Sequence, residues 1–109
     1  MKIVNLTPHQ ITIFKDGEKI DIPASGTVLR TKQDIVKHEP IDGIAVNKVS
    51  NYVDWAELPP QEEGTVYVVS AIVAQACWHR DDILAPDTGA GAVRDEAGLI
   101  VGVKGLVRY

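Results

Sequence analysis

The stretch Thr65-Val66-Tyr67-Val68-Val69-Ser70 is the most informative segment of the chain for the fold. Its first five residues are β-branched or aromatic and offer apolar side chains to both faces of an extended strand. A strand that is apolar on both faces is typical of a central position with packing on each side. The stretch therefore predicts a central, buried strand, and Ser70 after it is a favourable N-cap residue for a helix.

The segment that follows Ser70 has two interpretations. Ala71 to about Trp78 is predicted to form a short helix that places Ile72 and Val73 on one face. The alternative is that the strand simply continues through Val73. The composition Ala74-Gln75-Ala76 favours the helix, because alanine and glutamine have high helix propensity.

The first half of the chain predicts hairpins. Asp16-Gly17 separates two short alternating apolar runs, 11–14 and 19–22, and an aspartate–glycine pair tolerates the positive φ angles of a tight hairpin turn. A second such pair, Asp42-Gly43, precedes another apolar run at 44–46. Two further strands are expected at residues 2–6 and 27–37.

The rest of the chain supplies loops and a last strand. Residues 57–64 are polar and rich in proline, and residues 80–98 are rich in Asp, Gly, Pro and Arg, so both predict surface loops. Leu99 to Val103 predicts a strand, which Ala92-Val93 is placed to pair with. The expected fold is α+β, mostly antiparallel β with one short helix following a central buried strand, in a single domain over residues 1–109.

Composition limits the function classes. The chain has 109 residues and a net charge of −4, which argues against nucleic acid as a partner because phosphate backbones require a basic face. No apolar run approaches about 18 residues, so no membrane partner is expected. One cysteine and no metal-ligand spacing predict a cytoplasmic protein without a disulfide or a metal site. No cofactor is expected, since phosphate-binding glycine motifs are absent.

The strand–serine–helix junction is the first candidate binding element. Amides at the start of a helix bind anions readily, so Ala71, Ile72 and Val73 are candidates to face an anion beside the Ser70 hydroxyl. The alternative is that Ser70 only caps its own helix.

Two arginines, Arg80 and Arg94, lie among acidic residues in the predicted loop at 80–98. A guanidinium suits bidentate contacts to phosphate or carboxylate, which makes both candidates for ligand binding. The alternative is that they form ion pairs with neighbouring carboxylates and stabilise the loop. Further candidate ligand-binding residues are Asn5, Thr7, His9, Gln75 and Asp82, with a turn-stabilising role as the other interpretation of His9.

The large aromatic residues have two interpretations as well. Tyr67 and Trp78 flank the predicted helix, and Tyr52 and Trp55 precede the acidic loop. Packing in the core or in a subunit interface is the default expectation for such residues. Stacking on the ring of a ligand is the alternative.

Several short motifs carry a family resemblance. They are NLTPH at 5–9, IPASG at 22–26, VYVVS at 66–70, VAQA at 73–76, RDDILAP at 80–86 and AVRDEAG at 92–98. In these motifs the chain resembles a group of small proteins from bacteriophages and prophages. The resemblance implies a phage-associated protein of the host cytoplasm, in a class whose members often counter host defence, some as oligomers whose pockets sequester nucleotide signals.

These observations predict a homo-oligomeric, non-catalytic protein that sequesters a small polar or phosphorylated ligand. One alternative is an interaction protein that binds another protein through an exposed edge strand or the acidic loop at 57–63. A second alternative is a small nucleotide hydrolase that uses Asp81, Asp82 or Asp87 as its base.

Overall fold

The computed structural model describes all residues, 1–109, and contains ten strands and one helix. The expected fold class is confirmed, since the chain is mostly β with a single short helix. The strands are β1 Lys2–Asn5, β2 Ile11–Lys15, β3 Glu18–Ile22, β4 Lys32–Ile41, β5 Ile44–Tyr52, β6 Thr65–Val68, β7 Ile83–Pro86, β8 Ala92–Arg94, β9 Ile100–Val103 and β10 Leu106–Val107, and the helix is α1 Ala71–Ala76.

The central sheet has the strand order β1-β6-β7-β10. Strand β6 pairs in parallel with both β1 and β7, and β10 closes the sheet antiparallel to β7. Parallel neighbours need a crossover of roughly a dozen residues, usually a helix. The helix α1 lies in the crossover between β6 and β7, which explains why a helix follows the central strand.

A second sheet has the order β3-β2-β9-β8. Its hairpins β2–β3 and β8–β9 are antiparallel, and they join through a short parallel contact in which Ile13 lies opposite Val103. The β2–β3 turn is the expected one: Asp16 and Gly17 have φ angles of 51° and 79°. A turn with two positive φ angles matches the right-handed twist of the flanking strands.

Strand β6 packs on both of its faces, as the sequence predicts. Tyr67 contributes to the larger core cluster, where Val73 of α1 and Ile83 of β7 also lie. Val68 points the other way and forms a smaller cluster with Ile11 and Val103 of the second sheet. The two faces of one strand therefore hold α1 on one side and the second sheet on the other.

Strands β4 and β5 form a two-stranded antiparallel ribbon, which we call the arm (residues 32–52). Its turn uses Asp42 and Gly43 at positive φ, as the sequence predicts. Every residue of the arm is exposed except the half-buried Val46. The arm pairs with no other strand, and α1 lies against β5 near its base.

Two sequence predictions are wrong in detail. The segment 80–98 is not one long loop, because it contains strand β7. Its aspartates and Pro86 obscured the short apolar run 83–85, whose Ile83 and Ala85 are buried. The predicted pairing of Ala92-Val93 with the last strand is confirmed, since β8 pairs antiparallel with β9. The strand expected at 27–37 begins only at Lys32, because the preceding residues run irregularly beside Leu6, whose carbonyl accepts the Leu29 amide proton at 3.0 Å.

The one helix is far too short to cross a lipid bilayer.

Replacing Ile83 with alanine tests the packing of β7. Ile83 is 1% exposed, so truncation removes buried methyl groups and leaves a cavity, which we expect to lower the free energy of unfolding by about 2–5 kcal/mol. Leu99→Ala is the matched control, since Leu99 is 67% exposed and its truncation should change stability by about 0.5 kcal/mol or less. Chemical denaturation measures both; equal effects would contradict the placement of β7 in the core.

Candidate functional site

The largest cleft of the protein has a volume of about 320 Å³ and lies where three segments meet. These are the turn after β1, the irregular segment before β4, and the start of α1. Its lining residues are Leu6, Thr7, Pro8, Val28, Leu29, Arg30, Thr31, Ser70, Ile72 and Val73. A second, smaller depression of about 190 Å³ lies between β2 and β9.

Backbone hydrogen bonds hold the walls of the cleft. The Leu6 amide donates to the Val68 carbonyl at 2.8 Å, which extends the pairing of β1 with β6 by one residue. The Leu29 amide in turn donates to the Leu6 carbonyl. Leu6 and Leu29 are both buried, so their side chains fix the two segments to the core. The cleft walls are thus anchored to the central sheet.

Asn5 stabilises the turn beside the cleft. Its side chain is 1% exposed. The Asn5 amide group donates to the carbonyls of His9 at 2.8 Å and Ile22 at 3.1 Å, and its Oδ1 accepts from the amide and the hydroxyl of Thr7. All polar atoms of this side chain are used within the protein. Asn5 therefore positions the turn, whereas Thr7 itself lines the cleft.

His9 belongs to the turn after β1, in agreement with the turn-stabilising role that was the second interpretation of its sequence. Its carbonyl accepts from the Asn5 amide group and lies 2.9 Å from the Thr7 hydroxyl oxygen, whose proton is directed to Asn5 Oδ1, and its side chain is exposed and does not line the cleft. The NLTPH motif is thus explained largely by the hydrogen-bonded turn that it builds.

Ser70 lies at the N-cap position of α1 but does not cap it with its side chain. The backbone of Ser70 is extended, with φ −66° and ψ 157°, and its hydroxyl makes no hydrogen bond within the protein. Ser70 is exposed and lines the cleft. Since α1 has only six residues, its dipole is small, and side chains supply the polarity of the cleft.

Arg30 is the cation of the cleft, and sequence reasoning missed it. It is exposed and forms neither an ion pair nor a side-chain hydrogen bond. In the sequence it is a lone arginine in a stretch without motifs, far in sequence from Ser70. Only the pairing of the 25–29 segment with the turn after β1 brings the two residues to one cleft.

Arg80 and Asp82 form an ion pair away from the cleft. The Arg80 guanidinium donates to both carboxylate oxygens of Asp82 at 2.7 Å and to the Pro59 carbonyl at 3.1 Å. Both side chains are largely buried. The Arg80 hydrogen bonds hold the pKa of the Asp82 carboxyl below its usual range. The pair therefore joins the loop at 57–64 to the start of β7.

The same region anchors the acidic loop at further points. The Tyr67 hydroxyl donates to the Pro60 carbonyl at 3.0 Å, and the Gln61 amide donates to the Asp81 carboxylate at 3.2 Å. Burial raises the pKa of the Tyr67 hydroxyl. Tyr67 is thus a core residue and not a stacking platform.

The remaining candidates are dispersed. Arg94 is exposed and donates to the Gly98 carbonyl at 2.7 Å, within the β8–β9 turn. Gln75 is exposed on α1 outside the cleft, and the Asp87 carboxylate accepts from the Gly89 amide. Of the residues selected from sequence, Thr7, Ser70, Ile72 and Val73 line the cleft, with Asn5 and His9 supporting its wall. No group of three or more metal-ligating side chains occurs.

Comparisons with protein-family models, with curated proteins and with solved structures found no match to this chain. The resemblance to phage proteins therefore stays a prediction from the sequence motifs.

Asp82→Asn tests the structural role of the ion pair. The substitution leaves the Arg80 guanidinium without its countercharge, so we expect the free energy of unfolding at pH 7 to fall by about 3 kcal/mol. Asp81→Asn is the control, because Asp81 is exposed and the oxygen of an asparagine still accepts the hydrogen bond from Gln61; it should change stability by about 0.5 kcal/mol or less.

The pH dependence of stability in Asp82→Asn and in the unsubstituted protein gives a second prediction. A carboxyl whose pKa is lowered on folding stabilises the fold above its unfolded pKa, near 4, and this contribution is lost as the pH falls through the lowered value. Denaturation curves between pH 7 and 3 should show a stability loss at acid pH that is smaller in Asp82→Asn than in the unsubstituted protein. Parallel pH profiles would show that the pair does not stabilise the fold.

Proposed function

We propose that the chain is a phage- or prophage-associated protein that binds a small polar or phosphorylated ligand and sequesters it without chemical turnover. The binding site is the cleft between Thr7, Arg30 and Ser70. The protein acts as a homo-oligomer in the cytoplasm of the host cell. The phage association and the location come from the sequence motifs alone.

The observation that carries the proposal is that an uncommitted guanidinium and an uncommitted hydroxyl line the same cleft. Arg30 has no acidic partner, and the Ser70 hydroxyl has no hydrogen-bond partner. A guanidinium forms strong, often bidentate hydrogen bonds with phosphate or carboxylate groups. A hydroxyl beside it adds a donor that rotates to suit the bound oxygen. The pair favours an anionic group on the ligand.

The other side of the cleft is apolar. Val28, Ile72 and Val73 line it together with Leu6. A ligand with a ring or alkyl part beside its anionic group would contact both kinds of surface, and a nucleotide has this division. The volume lies at the lower end of the range for ligand pockets, roughly 300–1,000 Å³. A site completed by a second subunit would enclose such a ligand better.

The chemistry of the lining residues supports binding over hydrolysis. They supply a guanidinium, hydroxyls and apolar groups, whereas general acid–base catalysis uses a positioned carboxylate, imidazole or similar group. Asp81, Asp82 and Asp87, the bases of the hydrolase alternative, all lie elsewhere. Sequestration needs only an affinity that removes the free ligand stoichiometrically.

Protein binding is the second candidate function, and the exposed arm favours it. Exposed edge strands present unpaired N–H and C=O groups to which another chain can add a strand. The acidic loop at 57–63 is less suitable than expected, because Pro59, Pro60 and Gln61 are tied to the body of the protein.

Arg30→Ala tests the cleft. Native mass spectrometry of the protein with a panel of linear and cyclic nucleotides should show intact nucleotide bound in stoichiometric amount. We expect Arg30→Ala to weaken that binding by about tenfold or more, since a hydrogen bond to a charged group contributes about 1.5–3 kcal/mol. Thermal unfolding should be almost unchanged, because Arg30 is exposed and its side chain forms no ion pair or hydrogen bond.

Arg94→Ala is the matched control, an exposed arginine outside the cleft that should bind nucleotide normally. Ser70→Ala should give a smaller loss than Arg30→Ala, because it removes one neutral hydroxyl. If the unsubstituted protein binds none of the nucleotides and changes none of them chemically, the nucleotide form of the proposal is excluded. Equal losses in Arg30→Ala and Arg94→Ala would place the ligand outside the cleft.

A further inference from the structure

The largest cleft of the protein contains a single formal charge. Three segments form it: the turn at 6–10, the irregular segment at 23–31, and residues 70–76, which comprise Ser70 and α1. Charged residues make up 24% of the chain, yet Arg30 is the only Asp, Glu, Lys or Arg in these three segments. The electrostatic character of the cleft therefore comes from one guanidinium.

The charged residues that flank Arg30 in sequence, Asp21 and Lys32, are engaged elsewhere. The Lys32 ammonium lies 3.0 Å from the Asp54 carboxylate, and the Asp21 carboxylate accepts from the Thr12 hydroxyl at 2.8 Å. Neither Lys32 nor any acidic residue lines the cleft. A ligand in the cleft therefore meets one positive charge that no carboxylate opposes and that no second cation reinforces.

The surroundings of this charge are apolar. Leu6, Leu29 and Val73 are buried, Val28 is half-buried, and Ile72 is 46% exposed, and all of them line the cleft. Apolar side chains solvate a charge poorly, so a charged group placed against them needs a partner of opposite charge. The cleft offers one such partner, and its remaining surface suits an uncharged, apolar part of a ligand.

We propose that the cleft selects compact organic anions that carry one negative charge beside an apolar body, with a phosphodiester or a carboxylate as the charged group. The planar guanidinium of Arg30 matches either group through paired hydrogen bonds. A second charged group on the ligand would lie against apolar side chains or extend into solvent, where screening leaves it little attraction to Arg30. This inference rests on the proposed function and names the class of ligand for its site.

Among nucleotides, the charge limit favours cyclic monophosphates. The phosphodiester of cyclic AMP carries one negative charge, whereas a terminal phosphate group carries about −1.5 to −2 at pH 7, and ATP carries more than AMP. The cleft volume of about 320 Å³ also favours a compact ligand. Sites for polyphosphates supply several cations or backbone amides, and their affinity rises with the number of phosphates. In this cleft the affinity should not rise.

Isothermal titration calorimetry at pH 7 and constant ionic strength, without Mg²⁺, tests the charge limit. The probes are cyclic AMP, AMP, ATP, indoleacetate and inorganic phosphate. We expect cyclic AMP, indoleacetate or both to bind at least as tightly as AMP and ATP. Inorganic phosphate should bind most weakly, because it has no apolar body. Binding of cyclic AMP alone would identify the charged group as a phosphodiester, and binding of indoleacetate alone would identify it as a carboxylate.

The same titrations separate this inference from the proposed function. An affinity that rises from cyclic AMP through AMP to ATP would overturn the charge limit but leave the proposed function intact, since a phosphorylated ligand would still bind. Inorganic phosphate that binds as tightly as the organic anions would overturn the role of the apolar body. If none of the five probes binds, both the inference and the proposed function are contradicted.

Adding a second cation to the cleft tests the cause of the selection. Ile72→Lys places an ammonium group at a lining position that is already 46% exposed. We expect the affinity for ATP, relative to that for the singly charged probe that binds, to rise about fivefold, the contribution of one exposed ion pair. Gln75→Lys is the matched control, because it adds the same charge to an exposed position of α1 outside the cleft.

The control variant should leave the ratio of the two affinities almost unchanged. Equal changes in Ile72→Lys and Gln75→Lys would show that the net charge of the protein, and not the charge of the cleft, sets the preference, which would overturn the inference. Thermal unfolding checks that both variants are folded. If Ile72→Lys does not fold, Thr31→Lys replaces it, since Thr31 lines the cleft from the segment before β4.

Discussion

The rest of the structure depends on the burial of β6 on both of its faces. Tyr67 and Val68 are neighbours in sequence, yet they point into different clusters, one against α1 and β7 and the other against the second sheet. A strand in this position orders two layers at once. The parallel pairing of β6 with β7 requires a connection that crosses one face of the sheet, and α1 lies in that connection.

Arg80 and Arg30 lie in different environments. Arg80 is hydrogen-bonded within the protein, whereas Arg30 is exposed and has no ion-pair partner. Arg80 lies next to buried Cys77 in the region between α1 and β7, where a guanidinium would be costly without Asp82, and its Nε and Nη2 donate to acceptors inside the protein. Arg30 lies on the irregular segment before the arm, where the chain is fixed by leucine side chains and backbone hydrogen bonds alone. Its guanidinium is therefore free to meet an anion from solvent. The two arginines thus differ in environment, because one lies inside a packed layer and the other at its margin.

Local sequence patterns predicted many of the secondary-structure elements. They did not predict which elements that are distant in sequence pack together. The β6 strand, the helix after Ser70 and the two aspartate–glycine hairpins follow from side-chain alternation, helix propensity and turn chemistry, which act over a few residues. Strand β7 was missed because its apolar core is only a few residues long and lies among aspartates, so the pairing with β6, not its own composition, makes it a strand. The candidate site was predicted in part. Ser70 and Thr7 were selected for their local chemistry, but Arg30 joins them only through contacts distant in sequence, and a single sequence contains no signal for these. The roles of Arg80 and Arg94 were left open because spacing alone does not distinguish an ion pair from a ligand contact.

The smaller core cluster has a consequence for how the chain acquires its structure. Ile11, Val68 and Val103 meet there, although they come from the beginning, the middle and the end of the chain. Closing such contacts costs much loop entropy before any packing is gained, which slows folding in proteins rich in distant contacts. The arm, in contrast, is built from neighbouring residues around one turn and can form early. During synthesis the β2–β3 hairpin and then the arm would emerge and pair locally before β9 is available to pack near β6, so the most exposed element of the mature protein would form before the smaller core cluster closes.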